Sequence, residues 1–133
     1  MAFHSPAPEA VPELEWITRP WGDEEQYALN EVSTVSLMTV KPEKRMSLQS
    51  HARRDELWLV VDDGAVIWLG WDEDHLEKIF PKSGDKVWIP ANCLHRLGSA
   101  GLVVRVLEVA FGDYEQADIT RYADDYGRPA EGE

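Results

Sequence analysis

Short apolar runs separated by turn residues make up most of the chain between residues 35 and 111. Asp62-Asp63-Gly64 and Ser83-Gly84-Asp85 are turn signals between successive runs, and Pro42, Pro81 and Pro90 end three of them. No apolar stripe with the 3.6-residue period of a helix is visible before residue 113. The pattern predicts an all-β fold, an antiparallel sandwich or barrel. The predicted strands are residues 35–40, 56–61, 65–69, 76–80, 86–89 and 102–111.

The two ends of the chain lack this pattern, and we predict that they form arms on one domain. The length of 133 residues suits a single domain. Because prolines recur near the start, residues 1–18 are predicted to form an N-terminal tail or arm. The domain itself is predicted over residues 19–128, with a short helix or irregular arm at 115–125 and a C-terminal tail at 129–133.

The last predicted strand carries one carboxylate on an otherwise apolar face. Side chains alternate along a strand, so Glu108 shares its face with Val106 and Ala110. Burying a carboxylate among apolar side chains is costly unless it is paired or protonated. Two interpretations stay open: Glu108 lies on an exposed edge, or it lies inside the fold beside a functional site with a raised pKa.

Composition and charge narrow the classes of partner. A hydrophobic fraction of 44% with six tryptophans favours a folded core over disorder. The net charge of −12 argues against nucleic acid and anionic membranes, although a few arginines in a pocket could still bind a small anion. Cys93 is the single cysteine, so no internal disulfide is expected. With no signal peptide and no apolar run of about 20 residues, we expect a cytoplasmic protein.

Four polar residues on two β-rich segments form a candidate metal site: Gln49, His51, Glu56 and His95. Gln49 and His51 point to the same side of an extended strand, and Glu56 begins the next predicted strand. His95 must join them through tertiary folding. Imidazole, carboxylate and amide ligands suit Zn, Mn, Fe, Co or Ni. From spacing alone, metal binding is one hypothesis, and hydrogen-bonded or surface histidines are the alternative.

Two segments resemble the paired motifs of the cupin superfamily: residues 51–64, and residues 80–97 with Gly84-Asp85, Ile89-Pro90 and His95. A longer series, from Arg19 to Arg128, resembles the type II phosphomannose isomerase domain. In many bacteria that domain is the C-terminal part of a bifunctional mannose-1-phosphate guanylyltransferase. The matching motifs are Arg19-Pro20-Trp21-Gly22, residues 47–51, Arg54, Glu56, Trp58, His95-Arg96-Leu97, Gly112-Asp113-Tyr114, Asp118-Ile119 and residues 124–128.

This resemblance implies a single cupin (jelly-roll) β-barrel that interconverts mannose 6-phosphate and fructose 6-phosphate as a stand-alone domain. It implies one divalent metal held by Gln49, His51, Glu56 and His95, with zinc preferred over Mn, Fe, Co or Ni. Small cupins commonly pair their sheet edges, so we expect a homodimer.

The resemblance also suggests roles around the metal. Moving a proton between C1 and C2 of the sugar needs a base, and Glu108 is the candidate. The phosphate needs cationic partners, for which Arg54 and Arg128 are the candidates because they lie in family-like motifs. Arg53 and Arg121 are interpreted as solvated or salt-bridged surface residues.

The chain departs from the family where Ala52, Arg53 and Leu57 replace histidines. The predicted ligands survive, but these changes raise the prospect of a rebuilt pocket. Three hypotheses therefore stay open: a sugar-phosphate isomerase, a non-catalytic metal-containing cupin that binds a sugar or nucleotide sugar, and an Fe(II)-type oxygenase. Gln49 as a fourth ligand argues against the oxygenase, because it would fill a position that oxygen needs.

Overall fold

The computed structural model describes residues 2–132, which form β-strands and one short 3-10 helix, Pro8–Ala10. Among these residues there is no helix with the length and apolar character that crossing a membrane requires. The strands are β1 (Phe3–His4), β2 (Glu15–Arg19), β3 (Gly22–Gln26), β4 (Ser33–Val40), β5 (Leu48–Ser50), β6 (Arg54–Val60), β7 (Ala65–Gly70), β8 (Leu76–Ile79), β9 (Lys86–Ile89), β10 (Leu94–Ser99), β11 (Val104–Gly112) and β12 (Thr120–Ala123).

Two five-stranded sheets face each other across the core. Their strand orders are β1-β9-β6-β11-β4 and β12-β5-β10-β7-β8, and β2 and β3 form a separate hairpin. Neighbouring strands run antiparallel except β1, which pairs in parallel with β9. This arrangement confirms the predicted all-β jelly roll. The buried core is mostly aliphatic: Trp58, Val60, Ile67, Leu69, Val87, Ile89, Leu97, Val104 and Val106.

The apolar runs became strands with boundaries close to those predicted. Of the two alternatives predicted for 115–125, a short helix or an irregular arm, the helix does not form. Residues Thr120–Ala123 instead form β12, which lies antiparallel to β5 at the edge of the second sheet. A short strand there satisfies backbone groups of β5 that would otherwise lack partners. Because the partner strand lies about 70 residues earlier in the chain, local sequence gave no signal for this pairing.

The N-terminal residues are tied to the first sheet. Phe3 pairs with Lys86, and the Asp85 carboxylate accepts hydrogen bonds from the backbone N–H of Ala2 at 2.9 Å and from His4 Nε2 at 3.1 Å. The segment Arg19-Pro20-Trp21-Gly22 lies at the turn of the β2–β3 hairpin, which the sequence pattern did not predict. The predicted domain limits of 1–18, 19–128 and 129–133 remain a prediction.

A candidate metal centre between the two sheets

Strand register brings three polar side chains into one row across the second sheet. His95 on β10 lies opposite Gln49 on β5, and Gln49 lies opposite Arg121 on β12. Directly paired residues project to the same face of a sheet, and here that face is the interior. His51 directly follows β5, and Glu56 enters from β6 of the facing sheet. The site therefore lies between the sheets, with ligands from both.

The two histidines and the carboxylate converge at a spacing that suits one ion. His95 Nε2 lies 3.5 Å from Glu56 Oε1, and His51 Nε2 lies 3.6 Å from Glu56 Oε2. One donor atom from each of the three residues lies within 4.8 Å of the others. The exposed fractions are only 4% for His51 and 1% each for Glu56 and His95. Burial of three such groups together calls for a shared partner.

Backbone carbonyls orient both imidazoles. His51 Nδ1 donates to the Asp118 carbonyl at 2.7 Å, and His95 Nδ1 donates to the Cys93 carbonyl at 3.0 Å. These bonds place the ring proton on Nδ1 and leave the Nε2 lone pair pointing at the centre, as in many metal sites. His95 Nε2 is buried and finds no hydrogen-bond partner within residues 2–132. An orphaned acceptor of this kind fits a metal ligand.

Burial also keeps the histidines in the neutral form that metals require. It lowers the pKa of His51 to about 4, despite the opposing attraction of Glu56. It lowers the pKa of His95 as well. For Glu56, burial would raise the pKa, but His95, His51 and Arg54 together outweigh it and lower the pKa. The site therefore offers two neutral nitrogens and one carboxylate, a donor set suited to a divalent transition metal.

Gln49 lies beside this triad. Its Nε2 is 3.5 Å from His51 Nε2, and its Oε1 accepts a hydrogen bond from Ser47 Oγ at 2.6 Å. Turning the amide over would exchange the two atoms and direct the oxygen toward His51, while Ser47 can accept as well as donate. The residues that would hold a metal are thus His51, Glu56 and His95, with the Gln49 amide oxygen available as a fourth ligand.

Arg54 is packed against the triad. Its Nε donates to Glu56 Oε2 at 2.9 Å, its Nη2 lies 3.1 Å from His51 Nε2, and its guanidinium stacks on the Tyr114 ring at 4.2 Å. It balances the buried charge of Glu56 and is itself almost fully buried. Arg54 is therefore part of an ion pair and is not a free cation.

Glu108 lies inside the fold, with an exposed fraction of 7%. The Trp58 indole Nε1 sits between two carboxylates, 3.2 Å from Glu108 Oε2 and 3.3 Å from Glu56 Oε1. Burial, reinforced by the negative charge of Glu56, raises the pKa of Glu108 to about 8. Of the two interpretations of Glu108, the structure agrees with the buried one, in which the pKa is raised. The uncharged carboxyl of Glu108 lies beside the ionised carboxylate of Glu56.

A cavity of about 410 Å³ reaches the triad at His51 and is also lined by Gln49 and Glu108. Both arginines predicted to bind substrate line it, but each is paired with a carboxylate: Arg54 with Glu56, and Arg128 with Asp124 at 2.9 Å. Arg121 also lines the cavity, so its interpretation as a surface residue was wrong. Tyr114 is a second lining residue that sequence reasoning missed, although it belongs to the quoted Gly112-Asp113-Tyr114 motif.

Comparison with protein families gives a match over residues 9–124 to the family described as mannose-6-phosphate isomerase C-terminal. The xanthan biosynthesis protein XanB of Xanthomonas campestris is 34% identical over 114 residues, 84% of this chain. The alginate biosynthesis protein AlgA of Pseudomonas aeruginosa is 35% identical over 118 residues, 86% of this chain. Mannose-1-phosphate guanylyltransferase of Escherichia coli is 32% identical over 114 residues, 84% of this chain. The chain spans 23% of the length of each.

Solved structures share the fold at low sequence identity. The capsular polysaccharide assembling protein CapF from Staphylococcus aureus superposes with a TM-score of 0.62 and 18% identity, covering 82% of this chain and 34% of CapF. The 3,4-ketoisomerase QdtA from Thermoanaerobacterium thermosaccharolyticum superposes with a TM-score of 0.63 and 15% identity, covering 81% and 83% of the two chains. Both likenesses support the cupin fold.

Proposed function

Because this chain belongs to the mannose-6-phosphate isomerase C-terminal family of sugar-processing cupin domains, we propose that it is a metal-dependent isomerase of mannose 6-phosphate and fructose 6-phosphate. The observation that best supports the proposal is the convergence of His51, Glu56 and His95, with His51 lining a cavity. That cavity also carries a carboxyl outside the triad, Glu108, and three arginines. These are the parts that an aldose–ketose isomerisation of a phosphorylated sugar needs.

The reaction moves a proton between C1 and C2 while negative charge develops on the adjacent oxygens. A divalent metal bound at this site would supply Lewis-acid stabilisation of that charge. Glu108 is the group we propose for the proton transfer, because it lines the cavity and is left free by the triad. Its ionised form, in equilibrium with the protonated form near a pKa of about 8, would accept the proton. The Trp58 N–H fixes one of its oxygens, so the carboxyl keeps its place while the proton moves.

Cations at the cavity favour a phosphorylated substrate on a protein of net charge −12. Arg54 and Arg128 both line the cavity and retain the roles proposed from the family-like motifs. Because each is already paired with a carboxylate, they offer hydrogen-bond donors to the phosphate rather than an unpaired positive charge. Water is restricted at the triad by the burial of all three members, which strengthens electrostatic interactions there.

The test is turnover of mannose 6-phosphate by protein stripped with a chelator and reloaded in turn with Zn, Mn, Fe(II), Co or Ni. At least one metal should restore formation of fructose 6-phosphate. Glu108→Gln should lower kcat by about 10²–10⁴-fold, the usual contribution of acid–base catalysis, while bound metal stays constant. Glu77→Gln, on the exposed part of β8, is the matched control. Absence of turnover with every metal would falsify the isomerase proposal.

A second candidate, a cupin that binds a sugar without catalysis, is favoured by one observation. The Arg54 guanidinium already neutralises Glu56 and reaches His51 Nε2, so the triad can be electrostatically balanced without a metal. Metal analysis and turnover together separate the two. Metal at one equivalent per chain in the wild type, lost in His51→Ala and His95→Ala, together with turnover of mannose 6-phosphate supports the isomerase; the same metal without turnover supports a metal-containing binding domain. Saturable sugar-phosphate binding with equally little metal in all three proteins supports the binding domain.

A further inference from the structure

We propose that Arg121 is the principal phosphate-binding residue of the cavity and that the C-terminal segment 129–132 holds it in place. This inference rests on the proposed function for the identity of the ligand, a sugar phosphate. It rests on the geometry of β12 for the choice of residue. The sequence motifs pointed instead to Arg54 and Arg128.

The first step is position. Arg121 lies directly opposite Gln49 in the β12–β5 pair, and Gln49 lies directly opposite His95 in the β5–β10 pair. Adjacent strands are about 4.8 Å apart. Arg121 is therefore two strand spacings from a triad member on the same inner face. A substrate with its carbonyl end at the triad would extend along this row, so its phosphate end would lie toward Arg121.

The second step is which donors are free. Arg121 Nη1 donates to the backbone carbonyls of Pro129 at 3.1 Å and Gly132 at 2.7 Å. Arg121 Nε is buried and has no hydrogen-bond partner in the described part of the chain. The backbone bonds fix the guanidinium plane, and the edge formed by Nε and Nη2 has no acceptor among the described residues. A buried donor left unpaired is costly, so this edge calls for a ligand.

The third step is a comparison within the same protein. Arg45, Arg105 and Arg128 each bind a carboxylate through the Nε and Nη2 atoms, at distances of 2.8–3.0 Å. Arg121 presents the same edge and forms no ion pair with any carboxylate among residues 2–132. Planar bidentate donation of this kind suits phosphate as well as carboxylate. Among the arginines that line the cavity, Arg121 is thus the one with no anionic partner in residues 2–132.

The position of the guanidinium depends on the C-terminal segment. The Arg121 backbone N–H donates to Ala130, the Gly132 N–H donates to the Ile119 carbonyl at 3.2 Å, and Thr120 forms a β-bridge with Glu131. These contacts continue the second sheet by one more short extended segment beside β12. The segment acts on the substrate only through Arg121, so its role is positioning.

The experiment compares Arg121→Gln, Arg121→Lys and a control, Arg105→Gln, whose side chain is exposed on the outer face of β11. In the metal-loaded enzyme, Arg121→Gln should raise the KM for mannose 6-phosphate about 10- to 100-fold, with kcat changed little. Arg121→Lys keeps the charge but loses the planar guanidinium, so its KM should lie between those of the wild type and Arg121→Gln. Arg105→Gln should match the wild type. Circular dichroism and the Tm establish whether each variant is folded. If Arg121→Gln does not fold, the KM of Arg121→Lys is compared with the wild type instead.

Direct binding distinguishes failure of this inference from failure of the isomerase proposal. Calorimetry with mannose 6-phosphate, unphosphorylated mannose and inorganic phosphate needs no turnover. The inference predicts that Arg121→Gln weakens binding of both phosphate-bearing probes and leaves mannose unaffected. Normal turnover with an unchanged KM in Arg121→Gln would overturn the inference and leave the isomerase standing. If the wild type binds phosphate through Arg121 but shows no turnover, the inference stands and the isomerase proposal fails.

Discussion

Burial of Glu108 predicts that the metal-free protein loses stability as the pH rises from acidic to mildly basic. The perturbation is Glu108→Gln, which replaces the carboxyl by a neutral group of nearly the same shape. The folded state raises the pKa of Glu108 from 4.5 to about 8, first through burial and then through the nearby charge of Glu56. Folding therefore favours the protonated carboxyl.

The sign and size follow from proton linkage. Between pH 4.5 and about 8, the folded state holds the Glu108 proton more tightly than the unfolded state, so the free energy of unfolding falls as the pH rises. The contribution is fully present below pH 4.5 and is lost as the pH passes through about 8. One pKa unit corresponds to about 1.4 kcal/mol, which makes the full change about 4–5 kcal/mol. Glutamine at this position does not titrate, so it makes no such pH-dependent contribution to the free energy of unfolding.

Urea denaturation in the presence of a chelator, from pH 5 to pH 8.5, measures the effect. Wild type and Glu108→Gln should be of similar stability at pH 5, and the variant should become the more stable by several kcal/mol at pH 8.5. The low pKa of His51 and other groups affect both proteins, so the difference between the curves isolates Glu108. Glu77→Gln should follow the wild type. Parallel curves for wild type and Glu108→Gln would refute the buried, uncharged carboxyl.

Three further predictions concern packing, the histidine supports and assembly. Leu97→Ala, at a core position with 0% exposure, should lower the free energy of unfolding by about 2–5 kcal/mol in urea. Asp118→Ala removes the acceptor of the Ala52 and Arg53 N–H groups at 2.9 and 3.0 Å and loosens the support of His51. It should weaken metal affinity about 10- to 100-fold in a chelator competition, and unchanged affinity would contradict it. We also propose a homodimer, for which light scattering at micromolar concentration should give twice the chain mass of 15.1 kDa.

The fold class could be predicted because half of the strands, β4, β6, β7, β8, β9 and β11, have a local sequence pattern that identifies them. Residues 86–89 became β9 without a change of boundary, and the alternation in residues 102–111 placed Val104, Val106 and Glu108 on the inner face of β11. The strands that were not predicted are β1, β2, β3, β5, β10 and β12. Among them, β5 and β12 are three and four residues long and carry polar side chains, so tertiary pairing rather than local pattern makes them strands.

The candidate site also has a part that the sequence could predict, the metal ligands, and a part that it could not, the roles of the arginines. Side-chain chemistry sufficed to nominate Gln49, His51, Glu56 and His95, because few other residue types can share a buried ion. It could not rank the arginines, since the rank depends on which of them already has an anionic partner. Asp124 lies four positions before Arg128, and Glu56 lies two positions after Arg54, so both ion pairs join residues close in the sequence. The state of Arg121 depends on the β12–β5 register and on the C-terminal segment.

The three replaced histidine positions do not surround the cavity. Ala52 and Arg53 have exposed side chains, and their backbone N–H groups bind the Asp118 carboxylate. Leu57 alternates with Glu56 and Trp58 along β6, so it points to the opposite face, where it packs with Trp88 and Val109. Leucine is the expected residue for that apolar cluster. None of these three departures from the family lines the cavity, so they give no support to a loss of chemistry. What they change is the outer face of β6 and the exposed loop that carries His51, so any effect on metal binding would have to pass through the position of that loop.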